Sequence, residues 1–344
     1  MEEKIPHHDH KMMDDYNQVK STLSLNQFIT MVSLDNNEKT VIQLARQFLI
    51  ESKCESDWRV GMEFLYMNGF YNDLNVLIER NKHSDNPINR KGAQIYELMI
   101  ARLDHHLPSH VVIEQVNNIT TDIPELKCLI RFLTISINFS AHKYDCLGYY
   151  LDEINSLMLH IENPLLASLY KARLNMLLFI YYWKRNELIL ARKHAYRALN
   201  QTYNLERKSQ LHINLGLSYI YDDYTSCVYH LNEALKFAEM FNNKRLIRAI
   251  KDRNYPFVCA HFGVVENLKT NDPSEQAHIE IAKGNFQGAK AILRGIDEIT
   301  PFRKYYLGLA TGERDLFISS YNDFIEKRSD HFFARLPLHE LKHH

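Results

Sequence analysis

Small and apolar residues return every seven positions along parts of this chain, the interval that keeps them on one face of an α-helix. Ala191 and Ala198 show the interval, and Cys227 and Ala234 repeat it in the next unit. No stretch alternates apolar and polar residues as a half-buried strand does. The most apolar run, LNMLLFIYYW from Leu174 to Trp183, is bounded by Arg173 and Lys184. It reaches about half the length of a membrane span. The pattern predicts an all-α chain of helices joined by short loops.

Four segments share one order: a small or polar turn, an aromatic or apolar residue, then a small one. They are NGFYNDLNVL (68–77), KRNELILARKHAYRAL (184–199), YDDYTSCVYHLNEAL (221–235) and AKGNFQGAKAIL (282–293). Each resembles the turn and second helix of a tetratricopeptide repeat, and Leu215-Gly216-x-x-Tyr219 matches the L-G-x-x-Y of a first helix. The equivalent positions Leu74, Val111, Gly148, Ala191, Cys227, Ala289 and Phe317 advance in steps of 28 to 43 residues once the 62-residue step before Ala289 is halved. A unit of this kind is ~34 residues, so the series fits a tetratricopeptide-like solenoid of about seven degenerate pairs with a concave inner surface. An ordinary helical bundle is the competing architecture. Pro256 and Gly263 interrupt the helical pattern in KDRNYPFVCAHFG (251–263), and the polar ENLKTNDPS (266–274) follows. The expected organisation is a polar tail at 1–20, a helical-repeat region at 21–263 and a second at 264–344.

Composition agrees with helices. Gly (11) and Pro (9) are too scarce among 344 residues for the frequent turns of a sheet-rich fold. A hydrophobic share of 45% excludes a disordered chain. Lys+Arg 41 against Asp+Glu 42 leaves a net charge of −1, with no broad electrostatic footprint for nucleic acid or membrane. Faces such as Arg192-Lys193, Arg207-Lys208 and Lys244-Arg245-x-x-Arg248 read as solvated helix surface. Five scattered cysteines without a CxxC pair imply reduced thiols, and the polar N-terminus is no signal peptide, so a cytoplasmic protein is expected.

Candidate chemistry is sparse. His339-Glu340-Leu341-Lys342-His343 is literally HExxH, whose two histidines share a helix face and whose glutamate activates a zinc-bound water in metalloproteases. Here it stands at the end of the sequence, where fraying preorganises ligands poorly. A metal-dependent hydrolase on these residues is therefore the remote alternative. His7, His8 and His10, and His105-His106, read as chance clusters. No phosphate-cradling loop, GxSxG or close Cys–His pair occurs. The chain is read as non-enzymatic, with no catalytic, cofactor or metal residue. Aromatics recur at Tyr149-Tyr150, Tyr181-Tyr182-Trp183, Tyr219-x-Tyr221 and Tyr305-Tyr306. They fit core packing, or phenols that line a groove and hold a peptide.

Segments 274–293 (SEQAHIEIAKGNFQGAKAIL), 304–312 (KYYLGLATG) and 329–342 (SDHFFARLPLHELK) resemble, in order and spacing, the C-terminal part of AimR, the arbitrium peptide receptor family of temperate Bacillus phages. The marks are Glu275-Gln276-Ala277-His278, Tyr305-Tyr306-Leu307 and Arg335-Leu336-Pro337-Leu338. The resemblance implies a divergent, peptide-responsive regulator of the choice between lysis and lysogeny, working in the bacterial host cytoplasm. In the family a helix-turn-helix binds operator DNA and an imported hexapeptide binds inside the solenoid. By resemblance Glu275 and Asp330 are acidic peptide contacts, with Asp330 suited to a basic side chain. The arginine that holds the peptide's carboxylate aligns with Glu206, and the adjacent Arg207 is the candidate in its place. Family pocket asparagines align with Ile180, Lys184 and Leu217. About twenty residues precede STLSLNQFITMV, too few for the helix-turn-helix, so weak or no duplex-DNA binding is expected. The sequence stops short of the family's last apolar dimer helix, which leaves a homodimer open. The partners expected are a short signal peptide and a regulatory protein, without a membrane. The alternative is a paralogue that has lost both DNA and peptide and acts through protein contacts.

Overall fold

The computed structural model describes residues 23–103, 106–298 and 300–343. The expectations resting on the tail at 1–20, on His7, His8, His10 and on His105 lie outside them. Among the described residues there is no strand, and no helix is long and apolar enough to cross a membrane.

The helices are α1 (Leu25–Val32), α2 (Glu38–Glu51), α3 (Glu55–Asn68), α4 (Tyr71–Lys82), α5 (Pro87–Leu103), α6 (Ser109–Asn117) and α7 (Pro124–Ser140). Then follow α8 (Cys146–Met158), α9 (Pro164–Lys184), α10 (Leu188–Asn200), α11 (Leu205–Ser218), α12 (Tyr224–Met240) and α13 (Lys244–Ala249). The last are α14 (Tyr255–His261), α15 (Pro273–Ala282), α16 (Phe286–Arg294), α17 (Pro301–Thr311), α18 (Arg314–Asn322) and α19 (Arg335–His343). The scarce punctuating residues sit where helices need them. Pro273 and Pro301 open α15 and α17, where no intrahelical N–H is lost, and Asn204, Asp223, Asp272 and Thr300 cap helix N-termini with side-chain oxygens.

The chain forms two compact units. Among the described residues, one holds those up to Thr134 together with Asp152–Lys171, and the other Ile135–Leu151 together with those from Ala172 onward. In the first unit α3 packs on α4, and Phe28 stacks on Phe48 with ring centres 4.5 Å apart. Two buried acids there have partners. The Asp57 carboxylate accepts from Leu25 N–H at 2.9 Å, and Tyr96 donates its hydroxyl to Glu63 at 2.6 Å.

In the second unit, hairpins α11–α12, α15–α16 and α17–α18 stack as helical pairs. The positions expected to point inward do so at Leu74, Ala191, Cys227, Ala289 and Phe317, each fully buried. Ala198 and Ala234 are buried with their partners seven residues earlier. The register of two units is one residue different from the expectation. Val111 is half-buried and Gly148 exposed, whereas Val112 and Leu147 are fully buried. A one-residue step turns a helix by about 100°. With Pro108 fixing the start of α6, Val112 and Val116 face inward, and in α8 Leu147 and Ile154 do. Pro256 lies at the start of α14 behind a π-helical turn (Ile250–Asn254), and Gly263, at φ +74°, follows that helix. The whole segment 251–274 lies inside the second unit.

Candidate functional site

A second π-helical turn, Asp323–Lys327, follows α18 and is closed by Ser329 N–H donating to Ile325 O and Asp330 N–H to Phe324 O. Ser329 takes the left-handed conformation (φ 46°), a costly choice for a residue with a side chain, and its hydroxyl is held 3.1 Å from the Asp145 carboxylate. This geometry turns the chain inward, so that Asp330 is buried while Arg328 remains half-buried.

Asp330 meets Lys184, the last residue of α9, with Nζ and Oδ2 2.8 Å apart and both side chains over nine-tenths buried. The other carboxylate oxygen accepts from Phe333 N–H at 3.0 Å, and Phe332 N–H donates to Lys184 O at 3.2 Å. The Lys184 ammonium lies 3.9 Å from the Trp183 ring centre and 4.3 Å from that of Phe333. Burial pushes the ammonium pKa down, Asp330 opposes that, and the Arg328 charge adds to it. Burial also lifts the neighbouring Tyr144 phenol to about 12, with Asp330 reinforcing the rise.

These residues border a cavity of about 380 Å³. One wall comes from Ile180, Trp183 and Lys184 on α9, and the facing wall from Asn214 and Leu217 on α11. Phe302 and Phe333 supply an aromatic floor, Arg328 and Asp330 the polar end, and Phe139, Ser140 and Tyr144 the rest. Apolar walls with a few polar groups suit a small ligand or part of a peptide.

Of the three residues singled out from the sequence, the structure places Asp330 on this cavity, together with Ile180, Lys184 and Leu217. Arg207 does not border it. It lies seven residues before Asn214 on α11, and its guanidinium is 3.6 Å from the Met176 sulfur on α9. Glu275 is elsewhere in the unit, beside the Tyr306 hydroxyl (3.3 Å) and His278 (3.4 Å). The His278 ring stacks on Tyr306 at 4.3 Å, and Phe302 links that group to the cavity. The Lys184–Asp330 pair itself was not legible, because 146 residues separate its members.

The other candidates resolve into packing or surface. Tyr305 and Tyr306 are core residues, Tyr149 is exposed, and Tyr221 donates to Phe332 O at 3.3 Å. Arg192 departs from the solvated reading, since it bonds Ser218 and Asp222 and stacks 3.7 Å over Tyr219. His339 and His343 share a face of α19 with rings 4.5 Å apart, but among the described residues no group of three His, Cys, Asp or Glu side chains is placed to hold a metal. Burial pushes the Cys128, Cys146 and Cys227 thiols up to about 12, far from a reactive thiolate.

Residues 41–343 match the profile of the AimR transcriptional regulator-like family. The chain belongs to that family. An uncharacterized protein of Bacillus anthracis is 24% identical over 225 residues, which are 62% of this chain and 83% of that protein. The AimR transcriptional regulator of Bacillus phage SPbeta is 21% identical over 293 residues, 83% of this chain and 75% of its own. Among solved structures, phAimR-Ligand superposes with a TM-score of 0.74 at 17% identity, covering 94% of this chain and 98% of that one. Selenomethionine phAimR gives a TM-score of 0.68 at 17% identity, with 94% and 86% covered. At such identities the superposition establishes a shared fold. The AimR family is one of transcriptional regulators, and the all-α helical-repeat architecture agrees with it.

Proposed function

We propose that this AimR-family chain is a peptide-responsive regulator of a phage lysis–lysogeny decision in the host cytoplasm, and that a short signal peptide binds in its second unit at the cavity bordered by Asp330. One observation carries the reading. Ile180, Lys184 and Leu217, which align with peptide-pocket positions of the family, border a single cavity with Asp330. Arg207 fits the other end. It shares a face of α11 with Asn214 about 10 Å away, and its contact Met176 is one turn before Ile180 on α9. An extended peptide covers that distance with about three residues. Glu275 enters as a peptide contact by resemblance alone.

The experiment is calorimetry of the full chain with hexapeptides that end any short secreted-type precursor found encoded beside its gene. Saturable one-to-one binding, lost when Leu217→Trp fills the cavity and weakened by Arg207→Ala, is the expected result. A second reading has its own observation in its favour: Lys184 already fills Asp330, as a locked paralogue without a peptide requires. Absence of binding by every such hexapeptide selects that reading.

A further inference from the structure

Resting on the peptide reading above, we infer that the Asp330 end of the cavity receives a carboxylate of the peptide, and not a basic side chain, through the Arg328 guanidinium and the Asn214 amide. Both Asp330 oxygens are already engaged, one by the Lys184 ammonium at 2.8 Å and one by Phe333 N–H at 3.0 Å. A ligand cation would have to displace an ammonium that is over nine-tenths buried between the Trp183 and Phe333 rings. The displaced charge would then stand unpaired in a low-dielectric site, a large penalty. Lys184 therefore occupies the position that a basic ligand group would need.

Donors, in contrast, are in excess. Among the described residues Arg328 and Asn214, which border the same cavity, make no side-chain hydrogen bond or ion pair. Asp145, close by in the fold, bonds the Ser329 hydroxyl. The charges bordering the cavity are thus Lys184 and Arg328 against Asp330 alone, one positive charge over neutrality. A carboxylate accepts several hydrogen bonds and supplies the missing negative charge. An acidic side chain and a peptide C-terminus offer the same group.

The test presents the full chain with three randomised hexapeptide pools and reads retention by mass spectrometry. One pool has free C-termini and no acidic side chain. A second is amidated and carries one Glu, and a third is amidated and carries one Arg without an acid. Retention of the first or second pool over the third by about tenfold or more is expected, and the better of the two tells a terminal from a side-chain carboxylate. Arg328→Gln, which removes a side chain without partners and should leave the circular dichroism unchanged, is expected to weaken the retained pool about tenfold or more. Arg328→Lys should restore part of the loss. Preference for the Arg pool, or indifference to Arg328→Gln, overturns the inference and leaves peptide binding standing. Retention of no pool overturns both.

Discussion

Lys184 and Asp330 form the most consequential residue pair of the second unit. Two charges removed from water gain little over an apolar pair, but removing one partner leaves the other uncompensated. Lys184→Met should therefore destabilise the unit by about 3–5 kcal/mol in urea unfolding, and combining it with Asp330→Leu should recover most of the loss. A single variant within about 0.5 kcal/mol of the parent would show that Asp330 has no need of its lysine. Asp330 was legible as a candidate through the RLPL-type segment that follows it. Its partner was legible only as a pocket position where the family has asparagine, since nothing in the sequence joins residues 146 apart.

At the scale of elements, the α11–α12 hairpin shows what a seven-residue pattern does and does not reveal. The fit is tight at Gly216, where a methyl group would sit 3.0 Å from the Cys227 carbonyl oxygen and 3.2 Å from Leu231. Gly216→Val should cost roughly 1–3 kcal/mol through overpacking, whereas the parent and a Gly263→Asn variant should unfold at similar denaturant concentrations. Equal midpoints for Gly216→Val and the parent would contradict this packing. The L-G-x-x-Y motif marked that contact in advance.

The same hairpin holds a pair no motif marked: the Nδ1 atoms of His212 and His230 are 3.0 Å apart, which leaves a single proton between them. Burial pushes both rings down to about 4, with Lys208 adding to the shift of His212, and His212 and Arg192 to that of His230. In the unfolded chain they protonate near 6.5, so the unfolded state binds more protons between 6.5 and about 4. Stability is then complete above about pH 6.5, falls as pH drops from there towards 4, and levels off below, with a loss of roughly 3 kcal/mol or more for the coupled pair. Urea midpoints at pH 7 and 4.5 check it, and His230→Gln should flatten the difference. A parent whose pH dependence matches that variant's would exclude the pair as a cause. One histidine from each helix suffices to make the pair, so an inspection of either helix alone finds only an ordinary buried residue.

For the whole molecule, fold class was the most legible property. Scarce glycine and proline, absent strand alternation and recurring small residues all follow from one cause, the stacking of helices that each bury a single face. Register failed where a loop decided it, at α6 and α8, because the residue that starts a helix sets which residues face inward. The candidate site was half legible for a related reason. Asp330, Lys184, Ile180 and Leu217 converge on one cavity, while Arg207 lies along α11 and Glu275 belongs to the Tyr306–His278 group. That cavity as a peptide site is the central claim, and Trp183, in its wall, reports on it directly. With Trp58→Phe leaving Trp183 as the remaining tryptophan, titration with hexapeptides that end any short secreted-type precursor found beside the gene should change its emission saturably, and Leu217→Trp, in the matching calorimetric titration, should abolish binding. Hexapeptide binding by calorimetry with no change in Trp183 emission would place the peptide elsewhere and contradict the account.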